Sequence, residues 1–177
     1  MAIHIFSMIY KNLKAHAGER AAMDIFPEHA TLPDKMNAVD QVALARRIMD
    51  RMDNMLDRDT VIKVRHGNTC NLPKEQKREM TALMAKCENI HEFLISYGYV
   101  KQEDNTYLSA FEQQPKCWCS LFRTLDHYEP ISITWCECCN GHHEKGLLEV
   151  CRHPVKTEII ESIASGGRNC ITRVTVL

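Results

Sequence analysis

Five of the chain's nine cysteines, Cys117, Cys119, Cys136, Cys138 and Cys139, fall within residues 117–139, and Cys151 and Cys170 follow. Thiols gathered this closely point to one of two chemistries. As a set of thiolates they are soft ligands that suit zinc, with iron as the alternative. A single activated thiolate is instead a nucleophile. Cys117–Cys119 and Cys136–Cys138 share a CxC spacing, and on an extended strand residues two apart project from one face. Reading KCWCSLF and ISITWCEC as strands therefore predicts that four thiols meet when the strands pair. A CxC on a straight strand holds its sulfurs wider than one tetrahedral ion prefers, so one pair must bend. The competing account is packing, since free cysteine behaves as a small hydrophobe. That account serves for one or two residues better than for five.

His142 and His143 follow in CNGHHEK. Adjacent histidines at a predicted helix start point in two directions, so at most one faces the cysteines. It would act there as a ligand, or as the base that deprotonates Cys138 or Cys139. The free N–H groups of a helix start would also favour a nearby thiolate. Solvated polar residues at a helix start explain the pair equally well. Glu158 and Glu161, three apart on a predicted strand, face opposite ways, so one alone can turn toward the thiols. His66, Gly67 and Cys70 sit in a predicted loop, VIKVRHGNTCNLP, from which a cysteine beside a histidine can reach a site elsewhere.

The elements that must position these groups follow from periodicity. Apolar residues recur every three to four positions from Asp34 to Asp57, which predicts an amphipathic helix with a methionine-rich stripe best read as core. A second helix is predicted from Pro73 through Leu94, with Gly98 as its stop and Cys87 on its apolar face. After Gly98 the pattern alternates. YVKQEDNTYLSAF reads as a hairpin turning at Glu103, Asp104 and Asn105, GHHEKGLLEV as a short helix, VKTEIIESIA and NCITRVTVL as strands, and GGR as a turn. The fold class expected is α+β: a helical segment, residues 1–98, packed on an antiparallel sheet within a cysteine-rich unit, residues 99–177, the two forming one compact domain.

Composition narrows the function. The 177 residues are 45% hydrophobic, enough for a substantial core, and carry 22 basic against 23 acidic residues, a net charge of −1. Interspersed charge without a basic block argues against binding a phosphate backbone. No run is apolar enough to span a bilayer. In MAIHIFSMIY positive charge follows the apolar residues, the wrong order for a secretory signal, so the chain is read as cytoplasmic. An odd number of cysteines in a reducing compartment argues against a disulfide framework.

From Cys117 to Leu177 the order of CxC, PISITWCEC, GHH, PVKTEIIESIASGG and a terminal strand bearing Cys170 resembles the L-2-amino-thiazoline-4-carboxylic acid hydrolase-like family. More distantly it is similar to the vinyl-reductase-type ligand-binding domain of regulators of aromatic catabolism. The resemblance covers about the last third of the chain. It implies helices over an antiparallel sheet around a pocket for a small organic ligand or substrate. In the regulatory relatives a cysteine before the short helix and one closing the last hairpin hold structural zinc, positions that correspond here to Cys136 or Cys138 and to Cys170. Those relatives also use a cysteine eight residues before the last one, where this chain has Ser162, so Cys117 and Cys119 would have to substitute. The hydrolase relatives imply opening of a cyclic amidine by a cysteine or a metal-bound water.

Three functions follow as expectations. The first is a zinc-binding sensing or accessory domain using Cys117, Cys119, Cys136, Cys138 and Cys170. The second is a hydrolase of a small C–N heterocycle with Cys138 as nucleophile and His142 or His143 as base. The third, a winged-helix-like DNA-binding regulator built on residues 73–109, lacks the basic surface it needs.

Overall fold

The computed structural model describes residues 2–69, 72–109 and 116–177, with side chains from His4 onward, so the expectation attached to Cys70 falls outside the described residues. Among them are seven α-helices: α1 (Ala2–Ala17), α2 (Glu19–Ile25), α3 (Ala38–Met55), α4 (Arg58–His66), α5 (Lys74–Met84), α6 (Ile90–Ser96) and α7 (Glu137–Cys151). Four strands, β1 (Tyr99–Lys101), β2 (Tyr107–Ser109), β3 (Val155–Glu161) and β4 (Ile171–Val176), form one antiparallel sheet in the order β1-β2-β4-β3. The fold is α+β. The predicted hairpin is β1–β2, with Asn105 in the left-handed region at its turn. It is no free wing, because Tyr107 pairs with Val174 and Leu108 with Arg173.

The predicted helix over 34–57 is α3. Asn37 starts it by accepting from the Asp40 amide at 2.9 Å, the usual service of an N-cap side chain. Val42, Ile48, Met49 and Met52 of its stripe are buried, so Met49 and Met52 are core, whereas Met36 is only partly buried and Met55 is half exposed. Two expectations need correction. VIKVRH is not loop but most of α4, begun by Asp57, which accepts from the Thr60 amide at 2.9 Å. The helix predicted from Pro73 to Leu94 divides into α5 and α6, because Asn89 restarts the chain as a new N-cap, accepting from the Glu92 amide at 3.0 Å. Cys87 lies in the intervening turn and donates to Leu83 O at 3.3 Å.

Two hydrophobic clusters hold the elements together. One joins Phe6, Ile9 and Leu13 of α1 to α2, α3 and α4, and adds Cys117, Leu121, Phe122, Ile131, Trp135 and Cys136. The other gathers Met80, Phe93, Tyr99, Tyr107, Leu147 and Val174 from α5, α6, the sheet and α7. Each draws on residues from both sides of position 98, so the helical and cysteine-rich segments share their cores.

Helix α7 packs against α4 so tightly that a side chain is excluded at Gly141. A Cβ there would stand 2.6 Å from Thr69 Cγ2, 2.8 Å from His66 Cγ and 3.1 Å from His66 Cα. Alanine is the better helix former, yet Gly141→Ala is expected to destabilise the protein by about 1–3 kcal/mol through overpacking. Urea unfolding checks this, with the loss appearing in the midpoint rather than the slope.

Candidate functional site

Neither CxC segment is a strand. Residues 116–124 form turns, with the Phe122 and Arg123 amides both donating to Cys119 O at 2.9 Å. Ile133–Cys136 is a 3-10 turn that runs straight into α7, so Cys138 and Cys139 lie in the first turn of that helix. The β-branched run ISIT favours a strand by composition, but local and tertiary hydrogen bonds override it. Ser132 accepts from the Thr134 amide at 3.2 Å. Asp53 on α3 accepts from the Ser132 hydroxyl and, at 2.6 Å, from the Thr134 hydroxyl. The Thr134 and Trp135 carbonyls, which a sheet would have used, accept instead from Arg65 at 3.2 and 2.6 Å.

Turn, corner and sheet nevertheless bring the thiols together. Cys136 lies close enough to Cys138, Cys119 and Cys170 to feel their charges, and Cys119 feels Cys138. Cys117 and Cys170 influence each other's ionisation, which raises Cys117 and lowers Cys170 to about 6. The Cys136 thiol is 2.9 Å from the Ser162 hydroxyl, so Ser162 faces the cluster. The Trp135 indole N–H donates to the Cys119 sulfur at 3.5 Å. Burial pushes Cys136 up to about 12, against the hydrogen bond from Ser162, and raises Cys119. Cys138 moves down, held by a hydrogen bond from Cys139 and by the charge of Arg65. Among the described residues no group of three or more His, Cys, Asp or Glu side chains is placed so that it could hold a metal ion.

Arg65 was not singled out by the sequence, yet it is the centre of this corner. It is 0% exposed. Besides the two carbonyls, its guanidinium lies 4.7 Å from the Trp135 ring centroid. The Asn68 amide, with its oxygen turned toward the guanidinium, accepts from Nη1 at 3.1 Å. No carboxylate forms a salt bridge with it among the described residues, whereas Cys138 and Cys119 both feel its charge. A buried cation is costly unless an anion compensates it, and Cys138, whose pKa is lowered in part by Arg65, is the thiol best placed to supply one.

A second charged group lies on another side of α7. Glu137, 1% exposed, takes Arg58 as an ion-pair partner, faces His66 Nε2 at 3.4 Å, and accepts from Asn140 at 2.9 Å. His66 Nδ1 stands 3.4 Å from Glu144, whose other oxygen accepts from the Thr157 amide at 2.9 Å. Burial alone would lower His66, but the hydrogen bonds its ring donates to Glu137 and Glu144 raise it to about 9. Burial likewise works against the Glu137 carboxylate, and His66, Asn140 and Arg58 outweigh it and pull its pKa down.

His142 and His143 are not at a helix start but in the middle of α7. His143 is hydrogen-bonded to the Tyr99 hydroxyl at 3.0 Å, in the second core, and burial lowers it to about 4. Of the two carboxylates on β3, Glu158 pairs with Arg173 at 3.3 Å. Glu161, past a β-bulge, accepts from the Arg168 and Asn169 amides of the following turn. Beside the thiols a cavity of about 310 Å³ is lined by Lys116, Cys117, Phe122, Leu125, Tyr128, Pro130 and Ile163, among others. A larger hollow of about 390 Å³, between Glu28 and Arg47, is lined by none of the cysteines.

Fold and site together define an α+β protein with a thiol-rich corner built around a buried arginine. The chain belongs to a family of unknown function, DUF6144, whose model matches residues 4–177. No curated protein and no solved structure matches it. No helix among the described residues is long and apolar enough to cross a membrane.

Proposed function

We propose that this protein binds a soft metal ion, zinc in the first instance, through Cys119, Cys136 and Cys138 with Cys117 or Cys170 closing the set, and that the ion fixes the neighbouring pocket for a small organic ligand. The observation that carries this reading is Arg65, a fully buried cation whose reachable counter-charges are thiols. Protonated thiols would leave that charge uncompensated; thiolates gathered on a divalent ion carry a net negative charge that offsets it. Zinc would act here as a structural centre, tying the turn at 116–124, the start of α7 and the approach to β4 into one unit.

Elemental analysis of protein purified without chelators or oxidants is expected to give about one zinc per chain. Cadmium in its place is expected to give thiolate charge-transfer absorption that weakens on Cys136→Ser. Ser162→Cys supplies a related test. Its thiol would take the place of a hydroxyl 2.9 Å from the Cys136 sulfur, and competition with a chromophoric chelator is expected to show tighter zinc binding, by roughly tenfold or more. Unchanged affinity would remove Ser162 from the site's edge.

A further inference from the structure

The hollow between the 3-10 turn Pro27–Thr31 and the first half of α3 has walls that divide by chemistry. Leu32, Pro33, Met36, Ala43 and Leu44 supply the apolar part. Leu44 is 2% exposed and belongs to the first hydrophobic cluster, against which Leu32 and Met36 also pack, so the inner end rests on the core. Gln41 Nε2 donates to Met36 O at 2.5 Å and ties the segment ahead of α3 to the helix. Glu28, Lys35, Asp40 and Arg47 supply the charged part, and all but Glu28 are exposed.

These four charges differ in what they have left to offer. Both Glu28 oxygens are occupied: Oε1 accepts from Arg47 Nε at 3.2 Å and from Arg51 Nη2 at 3.1 Å, and Oε2 accepts from Arg51 Nη1 at 2.8 Å. Asp40 Oδ2 accepts from Asn37 Nδ2 at 2.8 Å. Arg47 uses only Nε on Glu28. Its two terminal amino groups and the Lys35 ammonium have no hydrogen bond or ion pair among the described residues. Counting Arg51 on Glu28, three cations face two carboxylates, and the uncommitted capacity is mainly donor. No aromatic side chain lines the hollow, so nothing there stacks on a flat ring.

We propose that this hollow binds a small aliphatic monocarboxylate, with its carboxylate on the Arg47 terminal amino groups and Lys35 and its chain along Leu32, Met36 and Leu44. Guanidinium N–H groups match the geometry of a carboxylate, and an apolar wall with a few placed polar groups is the usual form of a small-molecule site. A volume of about 390 Å³ has room for on the order of ten heavy atoms. The unbranched Met36 side chain adapts to chains of different length. One net positive charge suits a monoanion, whereas a dicarboxylate would set its second charge against the apolar wall. The site shares no residue with the thiol corner, so its failure leaves the metal reading untouched.

The test is calorimetric titration of the full-length chain with octanoate, which is expected to bind at one site per chain. Octanol and octylamine, of the same chain length, are expected to bind at least tenfold more weakly. Arg47→Gln is expected to weaken octanoate roughly tenfold, and Glu28 keeps Arg51 in that variant. Ala43→Leu, which fills the hollow from α3 and remains a good helix former, is expected to weaken it at least as much. Circular dichroism checks that both variants fold. Lys35→Gln, which removes no printed contact of an exposed residue, gives a further test with a loss of about threefold. No saturable binding of octanoate in the millimolar range would overturn the proposal. Octanol or octylamine binding as tightly as octanoate, or folded Arg47→Gln and Ala43→Leu chains binding octanoate like the native one, would do the same.

Discussion

Replacing Arg65 with methionine is expected to weaken zinc binding by about 10–100-fold, the scale on which residues behind the ligands act. It should also cost roughly 3 kcal/mol or more of stability, because the Thr134 and Trp135 carbonyls are left buried without a donor. Both effects have one origin. Arg65 holds the corner before α7 by its hydrogen bonds at 3.2 and 2.6 Å, and it supplies the positive charge that Cys138 and Cys119 face. Arg65→Lys separates the two. The lysine keeps the charge but lacks the planar fork that serves several acceptors at once. It is expected to recover much of the zinc affinity while remaining less stable than the native chain. Competition titrations and urea unfolding on the same samples read the two quantities. Zinc binding in Arg65→Met as tight as in the native chain would show that Arg65 is scaffold and not counter-charge.

The second large effect belongs to Glu137 and His66. Glu137→Ala is expected to destabilise by about 1–3 kcal/mol, since Asn140 and His66 lose a buried acceptor, while the half-exposed Arg58 turns to solvent and His66 keeps Glu144. His66 gives the pH dependence. Its folded pKa of about 9 lies above the 6.5 of the unfolded chain, so the protonated imidazole stabilises the fold. That stabilisation is complete below about pH 6.5 and is lost as pH rises through about 9, a change on the order of 3 kcal/mol. The groups facing the ring are Glu137 and Glu144 from α7, with Arg58 reaching Glu137 from α4. At the acid end the sign reverses. Glu137 and Glu144 have lowered folded pKa values, and their contribution disappears as pH falls through them. Thiols titrate in the alkaline range as well, so the quantity to read is the native profile minus that of His66→Gln. A difference flat from pH 6 to pH 9.5 would contradict the arrangement.

Fold class was legible in the sequence because the periods are clean. The stripe through Val42, Ile48 and Met52 repeats at helical spacing, and the residues of β3 and β4 and the hairpin alternate. The gathering of thiols was legible too, but from their number along the chain rather than from strand alternation. Cys117 and Cys119 sit in a turn, and Cys136 and Cys138 straddle the corner into α7. What sequence could not give is the capping by Ser132 and Asp53 that turns a β-branched run into that corner, since Asp53 lies 79 positions from Ser132. Arg65 and Glu137 escaped for a similar reason: each reads as an ordinary surface charge, with partners far along the chain. One signal for Arg65 was present. It stands four residues after Val61 and next to Val64, on the buried face of α4, where a charged residue on an apolar stripe marks an interior partner.

The ligand behaviour of the thiols bears most directly on the whole account. Protein purified anaerobically and without chelators, then dialysed against zinc and again against metal-free buffer, is expected to retain about one ion per chain. That ion should be lost or exchanged at least tenfold faster in Cys136→Ser and Cys138→Ser. A folded chain with reduced thiols that retains no zinc through the same dialysis would contradict the account.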